Sequence, residues 1–112
     1  MSRRAFTTVA IVSALGGILL GCTSWRAARL YQSGTAALDA GQVERAMSDL
    51  EHAARLQPSA SEINNHLGLA HMAAGDRKAA RVAFEHALEL DCDNSAARRN
   101  LAGVAAGWRE EP

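Results

Sequence analysis

Four histidines, two cysteines and twelve carboxylates are the side chains here with the most chemistry of their own. A metal centre needs three or four such groups converging on one point. His66 and His71 are five residues apart, which separates them by about 140° around a helix. His52 and His86 belong to different helices, so solvated or partly buried imidazoles are the expectation. Asp49 with Glu51, and Glu110 with Glu111, read as paired acids of a solvated surface. Arg77, Lys78 and Arg81 read as a basic, solvent-facing patch at a helix start. The chain has no phosphate-binding loop, zinc-protease motif, nucleophile elbow or Cys-x-x-Cys. No catalytic residue, metal or cofactor is expected, and the chain is not expected to be an enzyme. One reactive side chain does have a distinctive setting: Cys22 closes an apolar run that follows two arginines.

Arg3-Arg4 forms a basic start, Ala5 to Leu20 is uncharged and apolar, and Leu19-Leu20-Gly21-Cys22 ends the run with a small residue before the thiol. This segment resembles a bacterial lipoprotein signal with its lipobox. The resemblance implies a signal peptide over residues 1–21, cut at Gly21–Cys22. It also implies a diacylglyceryl thioether on Cys22, an acyl group such as palmitate on the new amino terminus, and a short tether over 22–26. Several acyl chains on the first mature residue anchor stably where one binds only marginally. Thr23, rather than aspartate, follows the cysteine, which in enteric-type bacteria implies an outer-membrane lipoprotein facing the periplasm. Two other readings of the run stay open. It is close to the lower limit of about 17 residues for an uncleaved inner-membrane helix, and Ser2-Arg3-Arg4-Ala5-Phe6 looks like part of a twin-arginine export signal. Trp25 either sits in the membrane interface or covers the first helix end. With Cys22 lipidated, Cys92 is a lone thiol that either fills a turn or pairs with another chain. With Cys22 unprocessed, a bond between the two becomes an option.

Beyond residue 26 the chain repeats itself. At an offset of 34, Gly34 falls on Gly68, Gly41 on Gly75, Ala46 on Ala80, Leu50 on Phe84, Ala53 on Ala87 and Leu56 on Leu90. The second copy has Leu67, Leu69, Ala70 and Met72 before a break at Gly75-Asp76. Ala80, Ala83, Phe84, Ala87, Leu88 and Leu90 then follow at i, i+3, i+4, i+7, a stripe with a period of about 100° per residue. Small residues alternate with large ones, as close packing of a helical hairpin needs. Leu67, Gly68, Gly75, Asp76, Ala80, Phe84, Ala87 and Leu88 carry a pattern that resembles the tetratricopeptide repeat. In the first unit Ser33 replaces the expected leucine and Leu50 the aromatic, while Pro58 stands where the second unit has Cys92. Leu30 and Asn64 occupy the position of the family's tryptophan.

The expected fold is therefore all-α: two helix-turn-helix repeats over 27–60 and 61–94, then a capping helix and tail over 95–112, as a short right-handed α-solenoid. Helix one is expected over about 26–40, helix two over 43–56, helix three to about Ala74 and helix four to about Leu90. Ser59 with Glu62 has the spacing of a capping box for helix three, Asp76 is placed to cap helix four, and Asn94 or Ser95 to open helix five. That last helix carries Leu101, Val104, Ala105 and Trp108 on one side, with Arg98, Arg99 and Asn100 as polar surface.

Charge excludes one class of partner. The whole chain is neutral, and beyond Cys22 ten basic face twelve acidic side chains, leaving about −2, so nucleic acid is not an expected ligand. The resemblance implies a concave groove lined by the first helix of each pair: Tyr31, Thr35 and Leu38, then Asn65, Leu69 and Met72, with Arg99 from the cap. Asn65 is expected to offer its amide to water and to a ligand backbone. The set lacks the lysines of a carboxylate clamp and suits an extended or helical peptide; the bland alternative is that Tyr31 and Leu69 only complete the core. Two functions follow as expectations. One is a membrane-anchored adaptor for a protein partner during assembly of an envelope machine such as a pilus or secretion system. The other is a self-associating structural module.

Overall fold

The same two kinds of turn cut the chain twice. At the first kind, Gly41 and Gly75 have φ of +74° and +80°, a left-handed backbone that glycine enters without steric cost. Each follows a helix with the same pair of bonds. Gly41 N–H donates to Leu38 O at 3.0 Å and Gln42 N–H to Ala37 O at 2.8 Å; Gly75 N–H donates to Met72 O at 3.0 Å and Asp76 N–H to His71 O at 2.9 Å. This is the Schellman closure of a helix end. At the second kind, Gln57 N–H reaches Ala53 O and Asp91 N–H reaches Ala87 O, again 34 residues apart. Pro58 and the exposed Cys92 occupy equivalent places in these turns.

The structure is a computed structural model that describes the backbone of residues 2–107 and the side chains of residues 21–107. The helices among them are α1 (Ser2–Asp39), α2 (Val43–Leu56), α3 (Ser61–Ala73), α4 (Arg77–Leu90) and α5 (Ser95–Gly107), with no strand among the described residues. α1 pairs with α2 and α3 with α4. α2 packs on α3 and α4 on α5, with lesser contacts from α3 to α1 and α5. The chain is thus two stacked helical hairpins and a fifth helix laid on the second.

Each hairpin closes on a glycine facing a large side chain. A Cβ on Gly34 would lie 2.7 Å from Leu50 Cγ, and one on Gly68 would overlap the Phe84 ring. Leu50 and Phe84 are fully buried. Around Leu50 lie Ala37, Ala46 and Ala70, with Tyr31, Leu38, Met47 and Leu67 against them. Around Phe84 lie Ala80 and Val104, with Leu69, Met72 and Leu101. Val104 brings α5 into the second core, so α5 covers the open end of the second hairpin, as a cap must. Its cap residue is Asn94, whose Oδ1 accepts from Ala97 N–H at 3.0 Å; Asp76 Oδ1 likewise accepts from Ala79 N–H at 3.0 Å to start α4.

Several expectations are corrected. Helix one does not begin near Arg26: α1 runs without a break from Ser2, so residues 22–26 are helix rather than a tether. The expected capping box is not formed, because Ala60 is the N-cap of α3 and makes no side-chain bond. Glu62 accepts from Tyr31 instead, and Ser61 Oγ donates to Ala87 O at 2.7 Å. On α5 the inward residues are Ala97 and Val104 with Leu101 half-buried, while Ala105 is exposed. Asp49 is not a bare surface acid: it is half-buried and accepts from Ser33 Oγ at 2.7 Å, with Arg45 Nε 3.8 Å away. The serine that replaces the family's leucine is thus answered by a carboxylate on the facing helix. Trp108, Glu110 and Glu111 lie outside the described residues, as do the side chains of the apolar run before Gly21. Among the described residues no helix is long and apolar enough to cross a membrane.

Candidate functional site

The inner face is built from α1, α3 and the start of α5. On α3, Glu62, Asn65, His66 and Leu69 follow one another at i, i+3, i+4, i+7, so one face presents all four. Tyr31 reaches across from α1. Its hydroxyl donates to Glu62 Oε1 at 2.8 Å and lies 3.3 Å from His66 Nδ1. The phenol and imidazole rings meet edge to face, with centroids 5.1 Å apart and planes at 87°. His66 Nδ1 is also 3.0 Å from Glu62 O. A carbonyl can only accept, so Nδ1 donates to Glu62 O and the hydroxyl proton goes to the carboxylate. Burial, then the hydrogen bond to Glu62 and its charge, push the Tyr31 hydroxyl well above its ordinary pKa. The phenol therefore stays protonated at any physiological pH and acts as a fixed donor, not as an acid or base.

Beside this cluster is an open pocket of about 350 Å³ between α3 and the turn before α5. Glu62, Asp91 and Asp93 give its rim negative charge, while Asn65, Asn94 and Ser95 add polar groups. No three histidine, cysteine or carboxylate groups converge as a metal site among the described residues. The arrangement is rich in hydrogen-bond acceptors and suits a donor-rich ligand, such as an extended backbone or a basic side chain.

The seven groove residues are placed unequally. Tyr31 lies on the inner face. Thr35 is half-buried and turns its hydroxyl to Gln32 O of its own helix at 3.0 Å. Leu38 packs on the Leu50 core, and Leu69 and Met72 pack on the Phe84 core. Asn65 does not face water as expected: it is 4% exposed, and its Oδ1 accepts from Asn100 Nδ2 at 2.9 Å. That bond ties α3 to α5, and it exists because the cap helix covers the position where a groove would otherwise open. Arg99 is exposed on α5. Glu62, His66, Asp91 and Asp93 were not among the expected residues. Glu62 and His66 could have been found, since they share the α3 face with Asn65 and Leu69. Asp91 and Asp93 lie in the turn that the antiparallel α3–α4 hairpin returns to the start of α3, where Asn94 Nδ2 donates to Ser61 Oγ at 2.8 Å, so the hairpin register carried their placement too.

Cys22 and Cys92 are both free thiols on the surface. The Cys92 carbonyl accepts from the Arg98 guanidinium, so the residue serves the turn through its backbone.

Helical hairpins with a 34-residue repeat, each closed by glycine against a buried large side chain, define an α-solenoid built for protein contacts. Models of the tetratricopeptide repeat match residues 27–59 and 61–94, together more than half of the chain. The protein belongs to the tetratricopeptide repeat family, whose repeats serve protein–protein interaction. It is similar to a TPR repeat-containing protein of Pseudomonas aeruginosa, 42% identical over 71 residues that make up 63% of this chain and 29% of that protein. It is also similar to heat shock protein STI1 of Saccharomyces cerevisiae, 39% identical over 59 residues, 53% of this chain and 10% of that one. The chain thus spans less than a third of either relative.

Proposed function

We propose that this protein is a lipid-anchored adaptor of the bacterial cell envelope that holds a protein partner on the inner face of its repeats. The observation that carries the reading is the inner face itself. Tyr31, Glu62 and His66 are joined in one polar cluster beside an acceptor-rich pocket. A rigid surface of fixed polarity binds a peptide at a low entropic cost. Acidic groups on the rim favour a partner segment carrying lysine or arginine. The apolar run ending at Cys22 supports an anchor in the outer membrane, with the repeats in the periplasm. No step of this function needs catalysis, a cofactor or a metal. Assembly of an envelope machine, such as a pilus or secretion system, is the setting in which a small anchored adaptor of this kind works.

Two measurements test the reading. Wild-type protein grown with labelled palmitate takes up label, and Cys22→Ser abolishes both the label and the cleavage. Crosslinking in membranes followed by capture recovers an envelope protein different from the bait. Unlabelled wild-type protein removes the anchor, and recovery of self-crosslinks alone favours a self-associating structural module over an adaptor.

A further inference from the structure

The absence of a tether has a geometric consequence at the amino-terminal end. Ala27, five residues after Cys22, is already fully buried in the repeat core. At about 1.5 Å per helical residue, that places the core within about 7.5 Å of the cysteine along the axis. The headgroup layer on each side of a bilayer is roughly 5–7 Å deep. A lipid on Cys22 therefore leaves the turns of α1 that follow it no room to stand clear of the membrane surface.

The residues that meet that surface suit it. Cys22, Trp25, Arg26 and Arg29 are spaced i, i+3, i+4, i+7 and are all exposed on one side of α1, opposite the buried Ala27. Trp25 is 61% exposed, and its ring is held from outside the core, with Arg29 Cζ 4.9 Å from the centroid. Indole and guanidinium paired in this way have one apolar and one cationic side, the composition of residues at membrane interfaces. Residues 22–38 contain no aspartate or glutamate. Asp49, the acid on α2 bound to Ser33, is occupied by that serine and by Arg45. An open pocket of about 330 Å³ next to Arg26 and Arg29, reached also by Ser33 and His52, is large enough for a phosphate headgroup.

We propose that the Trp25, Arg26 and Arg29 face of α1 is a membrane-docking surface that binds anionic phospholipid headgroups and fixes the orientation of the repeat array on the bilayer. The proposal rests on lipidation of Cys22. Charge complementarity and the short distance to the anchor select a lipid surface as the occupant. The docked array has its amino-terminal end on the membrane and the α5 end away from it, so the acidic pocket points to the aqueous compartment.

The test uses the full lipidated chain with Trp108→Phe, which leaves Trp25 as the one tryptophan. The protein is reconstituted into phosphatidylcholine vesicles with and without phosphatidylglycerol. Trp25 emission is read together with quenching by acrylamide and by brominated lipids. The expected result is a blue-shifted indole, shielded from acrylamide and quenched by brominated lipid, more so with phosphatidylglycerol. Replacing Arg26→Gln and Arg29→Gln should lower the ratio of docked to undocked protein by about fivefold per arginine. A labelled protein that floats with the vesicles while Trp25 stays open to acrylamide in both lipids overturns the docking face and leaves the anchor standing. Shielding that disappears on dilution within the bilayer points to a second copy instead, and shielding found only in native membranes points to a protein; either overturns the proposal. A chain without fatty acid that does not float removes the anchor and the docking face together.

Discussion

Tyr31 is the residue whose chemistry is most altered by the fold. Its hydroxyl is held by Glu62, and burial together with that carboxylate raises its pKa. In the unfolded chain the phenol titrates near 10, so above that pH the unfolded state loses a proton that the native state keeps. Stability contributed by this group is complete below about pH 10 and falls as pH rises further. Unfolding by urea between pH 9 and 11 should show that decline, and Tyr31→Phe should flatten it. An unchanged slope in the variant would assign the decline to other groups. Asn65 gives the opposite lesson. The register puts it on the inner face and suggests a water-facing amide whose removal would leave the thermal midpoint unchanged. The structure reverses this: Asn65→Ala leaves the Asn100 amide unanswered at the α3–α5 junction. A loss of roughly 1–3 kcal/mol is expected, measured as a lower urea midpoint, and Asn100→Ala on top should cost little more. The face of α3 was legible from spacing alone, but not which of its residues α5 would cover, since that depends on contacts far apart in sequence.

Among the elements, the hairpins were the most legible part. The expected Val43 and Leu56 bounds of α2 are those observed, and both Schellman glycines were marked as breaks. The reason is physical: these features rest on local backbone geometry and on the 3.6-residue period, which a sequence carries directly. Phe84 was placed by the same register and is fully buried in the core shared by α4 and α5. Phe84→Ala should cost roughly 3–5 kcal/mol out of about 5–15 for a typical domain, and thermal unfolding should lose most of its cooperativity. A midpoint lowered by only a degree or two would mean that the ring is not packed in this core. The two glycine types separate by the same method. Gly75→Ala meets open space and carries only the left-handed backbone penalty of about 1–2 kcal/mol. Gly68→Ala drives a methyl into the Phe84 ring and should cost more. The α3 cap was misread because it depends on a residue of another helix, and the start of α1 because a local cue was passed over. Glu62 is drawn away by Tyr31 from another helix, and the amino-terminal segment has no breaker between Cys22 and Ala27 to stop a helix.

At the scale of the molecule, two repeats and a cap make a small array with one covered end. α5 covers the Phe84 core through Val104, while the other end offers the outer face of α1. In the proposed adaptor the array has a membrane end and a partner end, with the acidic pocket at the α3–α5 junction serving the partner. Both halves of the account meet in one measurement, photocrosslinking in living cells from a benzoyl-phenylalanine at either of two positions. Asp93 lines the pocket, whereas Val82 is 58% exposed on α4 and lines none of the described pockets. The account predicts that the probe at Asp93 captures a second envelope protein, in a membrane fraction, and that the probe at Val82 does not. Capture of that protein from Val82 alone, or of only a second copy of this chain from both positions, would contradict it.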